Sequence, residues 1–158
     1  MRGMTLLQTR KLKANKNFQP LSQDEGDEFY QNGTFVFNIT KLLRFIKANP
    51  HTFQAEEVSV VSIKTFFSTN FNEATIQVAN IAEPILLAEI APDKFNVIDG
   101  NHRLERAYRD GASKILAYKV PAEQHIAFLT SVTGYNDYIK YWNSKIAQDQ
   151  TTKDKRLL

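Results

Sequence analysis

The chain contains no cysteine, and that absence removes disulfides, thiolate metal ligands and any cysteine nucleophile at once. No apolar run approaches the roughly 20 residues that a transmembrane helix needs. Leu6-Leu7, after Arg2, is too short for the apolar centre of a secretion signal, so a cytoplasmic protein without membrane association is expected. Glycine and proline are scarce, at 6 and 5 of 158 residues, so each one marks a specific turn rather than a flexible linker. There is no internal repeat. What is present is ordinary for a globular domain: 42% hydrophobic and 23% charged residues, in a length that fits one folded unit.

Neither sign of charge dominates, with 20 Lys and Arg against 17 Asp and Glu, but the distribution is uneven. Arg2, Arg10, Lys11, Lys13 and Lys16 precede the first acid, and Asp24, Glu25, Asp27 and Glu28 then come almost together. Such a basic arm either stays solvated or touches nucleic acid phosphate. Residues 1 to 34 lack sustained periodicity and read as an arm with one short strand at most. Residues 35–148 carry the periodic segments and form the domain, and 149–158 read as a polar, frayed tail.

Within the domain, Asn38 or Thr40 caps a helix through Leu42, Leu43, Phe45 and Ile46, stopped by Asn49-Pro50. Val58 to Ile63 is β-branched and predicts a strand; Asn72 to Ile81 predicts a helix. Ile85 to Ile90 and Phe95 to Ile98 predict a β-hairpin closed by Ala91-Pro92-Asp93-Lys94, a type I turn sequence. A helix with Leu104, Ala107 and Tyr108 on one face follows and ends at Gly111; Lys114 to Val120 is the next strand. Pro121 opens a helix through Ile126, Phe128 and Leu129 that Gly134 ends, and a last helix runs from about Asn136 to Ala147. Tyr135, Tyr138, Tyr141 and Trp142 fall at helical spacing, which points to packing rather than to a base-stacking platform. The mixture of strands and helices without a regular βαβ period predicts an α+β fold, a small mixed sheet with helices around it.

The most informative stretch is Val97-Ile98-Asp99-Gly100-Asn101-His102-Arg103, where a strand hands over to a helix through a glycine turn. The first N–H groups of such a helix have no internal partner and carry the positive end of its dipole. A helix start of this kind accepts an anion, and His102 and Arg103 fall within its first turn as side-chain donors. Gly100 lets the backbone approach closely, Asn101 adds an N–H and an amide, and Arg106 lies one turn further on. The plainer alternative is a simple turn with Asp99 capping the helix.

Asp99-Gly100-Asn101-His102-Arg103, with Ala107, Gly111 and Ile115 behind it and Glu83-Pro84-Ile85-Leu86-Leu87 before it, resembles the signature box of the ParB/sulfiredoxin superfamily. The match covers roughly Val58 to Val120. It implies a compact α+β fold and a nucleotide, such as ATP or ADP, whose phosphates are held by Gly100, Asn101, His102, Arg103 and Arg106. It also implies Mg²⁺, for which Asp99 is the oxygen ligand at hand. Sulfiredoxins carry a cysteine at the place of Asn101, so sulfinic acid reduction is excluded. Partitioning ParB proteins continue into DNA-binding and dimerisation regions that do not fit in the residues after Val120.

If the nucleotide is turned over, by phosphoryl transfer or hydrolysis, His102 is one catalytic candidate. The superfamily's free-serine kinases place a Glu near the start of the domain, which brings in Glu56 and Glu57, with Glu73 and Glu83 as substitutes. The alternatives are a nucleic-acid-binding or nuclease module using the same turn and the basic arm, or a nucleotide sensor without turnover. Arg109 is placed to pair with Glu105 one turn back, a structural role. His51 and His125 stand apart from any second titratable motif and read as surface or satisfied histidines.

Overall fold

A computed structural model describes residues 10–64 and 71–156. Arg2, counted above in the basic arm, lies outside the described residues. The architecture is mixed α+β, as expected: a two-stranded and a four-stranded sheet with helices around them.

The chain first forms a hairpin from β1 (Phe29–Asn32) and β2 (Phe35–Asn38), with Gly33 at φ 61° in its turn. The boundary expected after residue 34 therefore falls inside one hairpin. Asn38 ends β2 and caps α1 (Ile39–Ala48), its side chain accepting from the Lys41 N–H at 3.1 Å. Strand β3 (Glu56–Ser59) is shorter than predicted: Ser59 accepts from the Ser62 N–H and turns Val60–Ile63 into a short helix, α2. β-branched composition favours a strand there, but a serine cap and burial of Val60 beneath the next layer override it. Helix α3 (Glu73–Val78) is likewise shorter than predicted and is capped by Asn72.

The predicted hairpin forms from β4 (Ile85–Ala91) and β5 (Lys94–Asp99). Its turn is not type I, because Asp93 sits at φ 61°, the left-handed value that a type II turn requires at its third position. Helix α4 (Asn101–Arg109) and strand β6 (Lys114–Val120) follow as expected. Strand order is β3-β6-β4-β5, with β6 and β4 parallel and the outer pairs antiparallel.

The central strand β4 is buried along its whole length, so its alternating side chains feed two cores. Leu86, Ala88 and Ile90 join Ile98 and Val120 on one face, beneath α1 and the C-terminal helix. Ile85 and Leu87 join Ile115 and Ala117 on the other, beneath Leu104 and Ala107 of α4.

After Pro121 the chain forms α5 (Ala122–His125) and a 3₁₀ turn (Ile126–Phe128), then α6 (Val132–Arg156). Gly134 does not end a helix; it lies in the first turn of α6, where a Cβ would stand 2.8 Å from the Thr34 carbonyl oxygen. Its N–H is capped by the Ser131 hydroxyl at 2.9 Å. The segment expected to fray from Gln148 continues this helix. Tyr135, Tyr138 and Trp142 are buried in the first core, as their spacing predicted, while Tyr141 stays partly exposed.

The arm is docked through Arg10, Leu12 and Phe18, while Lys11, Lys13 and Lys16 are exposed. Asn143 of α6 both accepts from and donates to the backbone of Leu12, and Phe18 stacks on Tyr135 at 3.9 Å. Arg10 forks onto the Glu89 carboxylate, at 2.9 and 2.5 Å, and onto Glu123 at 3.1 Å, with its guanidinium 4.9 Å from the Trp142 ring. The acidic cluster does not face the arm; Asp24 pairs with Lys41 at 2.7 Å.

Candidate functional site

Gly100 is the residue on which the turn depends. It holds φ 97°, and a Cβ there would come within 2.6 Å of Ile85 Cγ2. Only glycine allows β5 to bend directly over β4 and start α4 at that point. Leu104 is the first residue of α4 whose N–H finds a helix carbonyl, that of Gly100 at 2.9 Å, which leaves the Asn101, His102 and Arg103 N–H groups at the open end. No acid occupies the first turn, and Arg106 and Arg109 lie in the last, so the side chains leave the positive end of the dipole uncancelled.

The side chains of the box divide into two groups. Arg103 turns back under the bend: its Nη2 donates to the Pro84 carbonyl and to Asp99, both at 3.3 Å, and Nη1 stands 3.8 Å from Glu83. Its Nε is buried without a partner. Asp99 is thus an ion-pair partner rather than a cap; Gly100 holds the cap position and no side chain bonds there. Asn101 and His102 face outward, the His102 ring meeting Phe71 edge to face at 5.7 Å. Arg106 donates to the Ile76 carbonyl at 3.4 Å and to that of Gln77, closing the C-terminus of α3, and Nε stands 3.5 Å from Asp110. Its positive charge is directed at α3, away from the turn.

Asn101 lines a cleft of about 690 Å³ on the α4 side of the sheet. That volume is within the roughly 300–1,000 Å³ of small-molecule sites. Leu87, Phe95 and Val97 form its apolar floor, and Glu56, Lys64 and Lys119 stand at its walls.

Both Glu56 and Glu57 line the cleft, and each is ion-paired across β6: Glu56, opposite Ala117, with Lys119 at 3.5 Å, and Glu57, opposite Leu116, with Lys114 at 3.7 Å. Glu56, Ala117 and Ile85 form one row across three strands, with Gly100 over Ile85. Two strand spacings put Glu56 roughly 10 Å from Ile85, beneath the turn. Glu73 is bound to Arg109 at 2.5 Å, and Glu83 to Arg103, so neither substitutes for it.

Glu105 and Arg109 pair at 2.9 Å as the i, i+4 spacing predicted. Glu105 is also bound to Lys64, which lies over the Phe71 and Tyr108 rings. Burial would raise the Glu105 carboxyl, but the bonds from Lys64 and Arg109 outweigh it and lower its pKa.

For Mg²⁺, the donor set does not fit a cage made by the protein. Among the described residues no three His, Asp or Glu side chains come together to hold a metal ion, and Asp99 is already engaged by Arg103.

A second buried polar cluster, where the end of β4 meets α5 and α6, escaped sequence reading. Glu89, 1% exposed in β4, accepts from Arg10 and from the Asp93 and Ala122 N–H groups at 2.7 and 3.2 Å. Burial would raise its carboxyl, but these bonds prevail and hold it below the usual carboxylate range. Its backbone carbonyl accepts from Tyr138 Oη and bonds His125 Nε2, both at 2.7 Å. His125 is wholly buried with Nδ1 unpartnered, and burial lowers its pKa to about 4. The one available signal was a glutamate inside an otherwise apolar strand, which demands a cationic partner from elsewhere. His51 is exposed, at a smaller cavity beside Tyr118 and Lys119.

Compared with known proteins, the chain matches no family model, no curated protein and no solved structure, so its function is argued from the geometry of this cleft and turn.

Proposed function

We propose that this chain is a ParB/sulfiredoxin-like nucleotide-binding domain whose cleft holds the ligand's phosphates at the start of α4. The observation that carries this reading is Asn101, which stands at the positive helix end and at the same time lines the cleft whose far wall bears Glu56. The backbone N–H groups of residues 101–103, the Asn101 amide and the His102 imidazole are the donors to phosphate. Arg103 positions the turn through Asp99 and Pro84 and does not itself reach for the ligand. Any Mg²⁺ arrives on the nucleotide's own oxygens, since the protein offers no cage for it. The nucleic-acid alternative would rest on Lys11, Lys13 and Lys16, which are exposed, since Arg10 is bound to Glu89 and Glu123.

The test is a thermal-shift panel with ATP, ADP and CTP, with and without Mg²⁺. A nucleotide at 100 times its Kd stabilises by about 2.7 kcal/mol, well above detection. Asn101→Ala and His102→Ala are expected to shrink that shift without unfolding the protein. If no nucleotide moves the wild type, or if both variants keep the full shift, the assignment fails. Release of inorganic phosphate from the nucleotide that binds then separates an enzyme from a sensor.

A further inference from the structure

Resting on the nucleotide reading of the same cleft, we propose that the ligand lies lengthwise along β5. Its phosphates are at α4 and its heterocyclic base is at the opposite end, on Phe95 and against the β1–β2 hairpin. The cleft is longer than a phosphate site needs. From Asp99 back to Phe95 is four residues of strand, roughly 13 Å. That is the reach of an extended nucleoside triphosphate from terminal phosphate to base.

Among the described residues two phenyl rings line the cleft, at opposite ends. Phe71 lies against His102, at the phosphate end, where the base of an extended nucleotide does not fall. Phe95 stands at the other end; both rings carry a cation, Lys64 Nζ 5.3 Å from the Phe71 centroid and Lys119 Nζ 4.6 Å from that of Phe95, so it is place along the cleft that sets Phe95 apart. A ring face that holds an ammonium also accepts an aromatic heterocycle by stacking. Lys119 has an alternative partner when displaced, since Glu56 Oε1 is 3.5 Å away.

Stacking alone does not choose among bases, because every base has a π-face. The edge contacts come from the hairpin: Tyr30 and Asn32 line the same cleft. The Asn32 amide offers both a carbonyl acceptor and an NH₂ donor, which is what reading a base edge requires. The hairpin lies outside the stretch from Val58 to Val120 that carries the box resemblance, so this end of the site belongs to this chain in particular.

The experiment is calorimetric titration of the full chain with two probes: the tightest of ATP, GTP, CTP and UTP, and inorganic tripolyphosphate, which has no base. Phe95→Leu keeps an apolar side chain in the floor but removes the ring, and Asn32→Ala removes the amide from a hairpin end. Each is expected to weaken nucleotide binding about tenfold and to leave tripolyphosphate within twofold, while Asn101→Ala weakens both probes. Nucleotide affinity unchanged in both variants overturns the proposal, as does equal weakening of the two probes. Tripolyphosphate binding the wild type as tightly as any nucleotide overturns the base end and leaves the phosphate reading standing. Failure of the wild type to bind either probe overturns both.

Discussion

His125 gives the sharpest test of the cluster beneath α6. The imidazole is wholly buried, bonded through Nε2 to the Glu89 carbonyl, with Nδ1 facing no acceptor or donor. Burial therefore lowers its pKa from 6.5 to about 4, and the folded state holds it neutral where the unfolded chain would protonate it. The sign follows directly: between pH 6.5 and 4 the unfolded state binds more protons, so stability falls as pH falls through that window. For one site with those two pKa values the loss between pH 7.5 and 4.5 is about 2.5 kcal/mol, steepest at about 1.2 kcal/mol per pH unit. Glu89 and Glu105, both held below the usual carboxylate range, add a loss of the same sign as pH approaches 4.5 and their unfolded counterparts begin to protonate, so the control must carry them unchanged. Urea denaturation at pH 7.5, 6.0 and 4.5 measures it. The control is His125→Gln, which keeps a donor for the Glu89 carbonyl but does not titrate, and its slope is subtracted from that of the wild type. If the two slopes coincide, His125 is not the buried neutral group described, and the packing of α5 against β4 is wrong.

Two further perturbations probe the strap and the turn. Arg10→Ala removes both forks from a buried carboxylate that keeps only two backbone donors, and is expected to cost about 2–3 kcal/mol, below the full 3–5 for a buried pair because Arg10 is partly exposed. Arg10→Lys restores little of it, since an ammonium cannot fork. A urea midpoint within error of wild type for Arg10→Ala would show that the strap is not docked. Gly100→Ala meets both a left-handed backbone and the Ile85 side chain, and is expected to destabilise by roughly 2–4 kcal/mol in the same assay. A loss under about 0.5 kcal/mol would mean that the turn does not approach Ile85 as described.

Where local chemistry and tertiary demand agree, the residues announce the structure. The hairpin of β4 and β5, helix α4 and strand β6 follow from apolar runs separated by Pro92-Asp93, Gly100 and Gly111, and they form where expected. Ser59 and Gly134 misled for the same reason: each has two local meanings, and a neighbour remote in sequence chose between them. Ser59 became a cap because Val60 is buried under α4, and Gly134 sits inside a helix because the Thr34 backbone passes beside it. The polar segment after Gln148 reads as frayed because nothing in its composition reports the 25-residue helix it extends.

The sequence by itself determined the class of fold, the exclusion of cysteine chemistry, and the glycine turn that opens a helix at Asn101. These depend on residue type and on period. Only the tertiary structure decided which groups turn toward the cleft. It sent Arg103 and Arg106 inward to Pro84 and the end of α3, and kept Asn101 at the opening. It paired Glu56 with Lys119 and Glu57 with Lys114, and drew Arg10 from the arm into Glu89. The physical reason is common to all of these. A charged side chain goes to the partner that compensates its desolvation best, and for a buried charge that partner is fixed by the packing of distant segments.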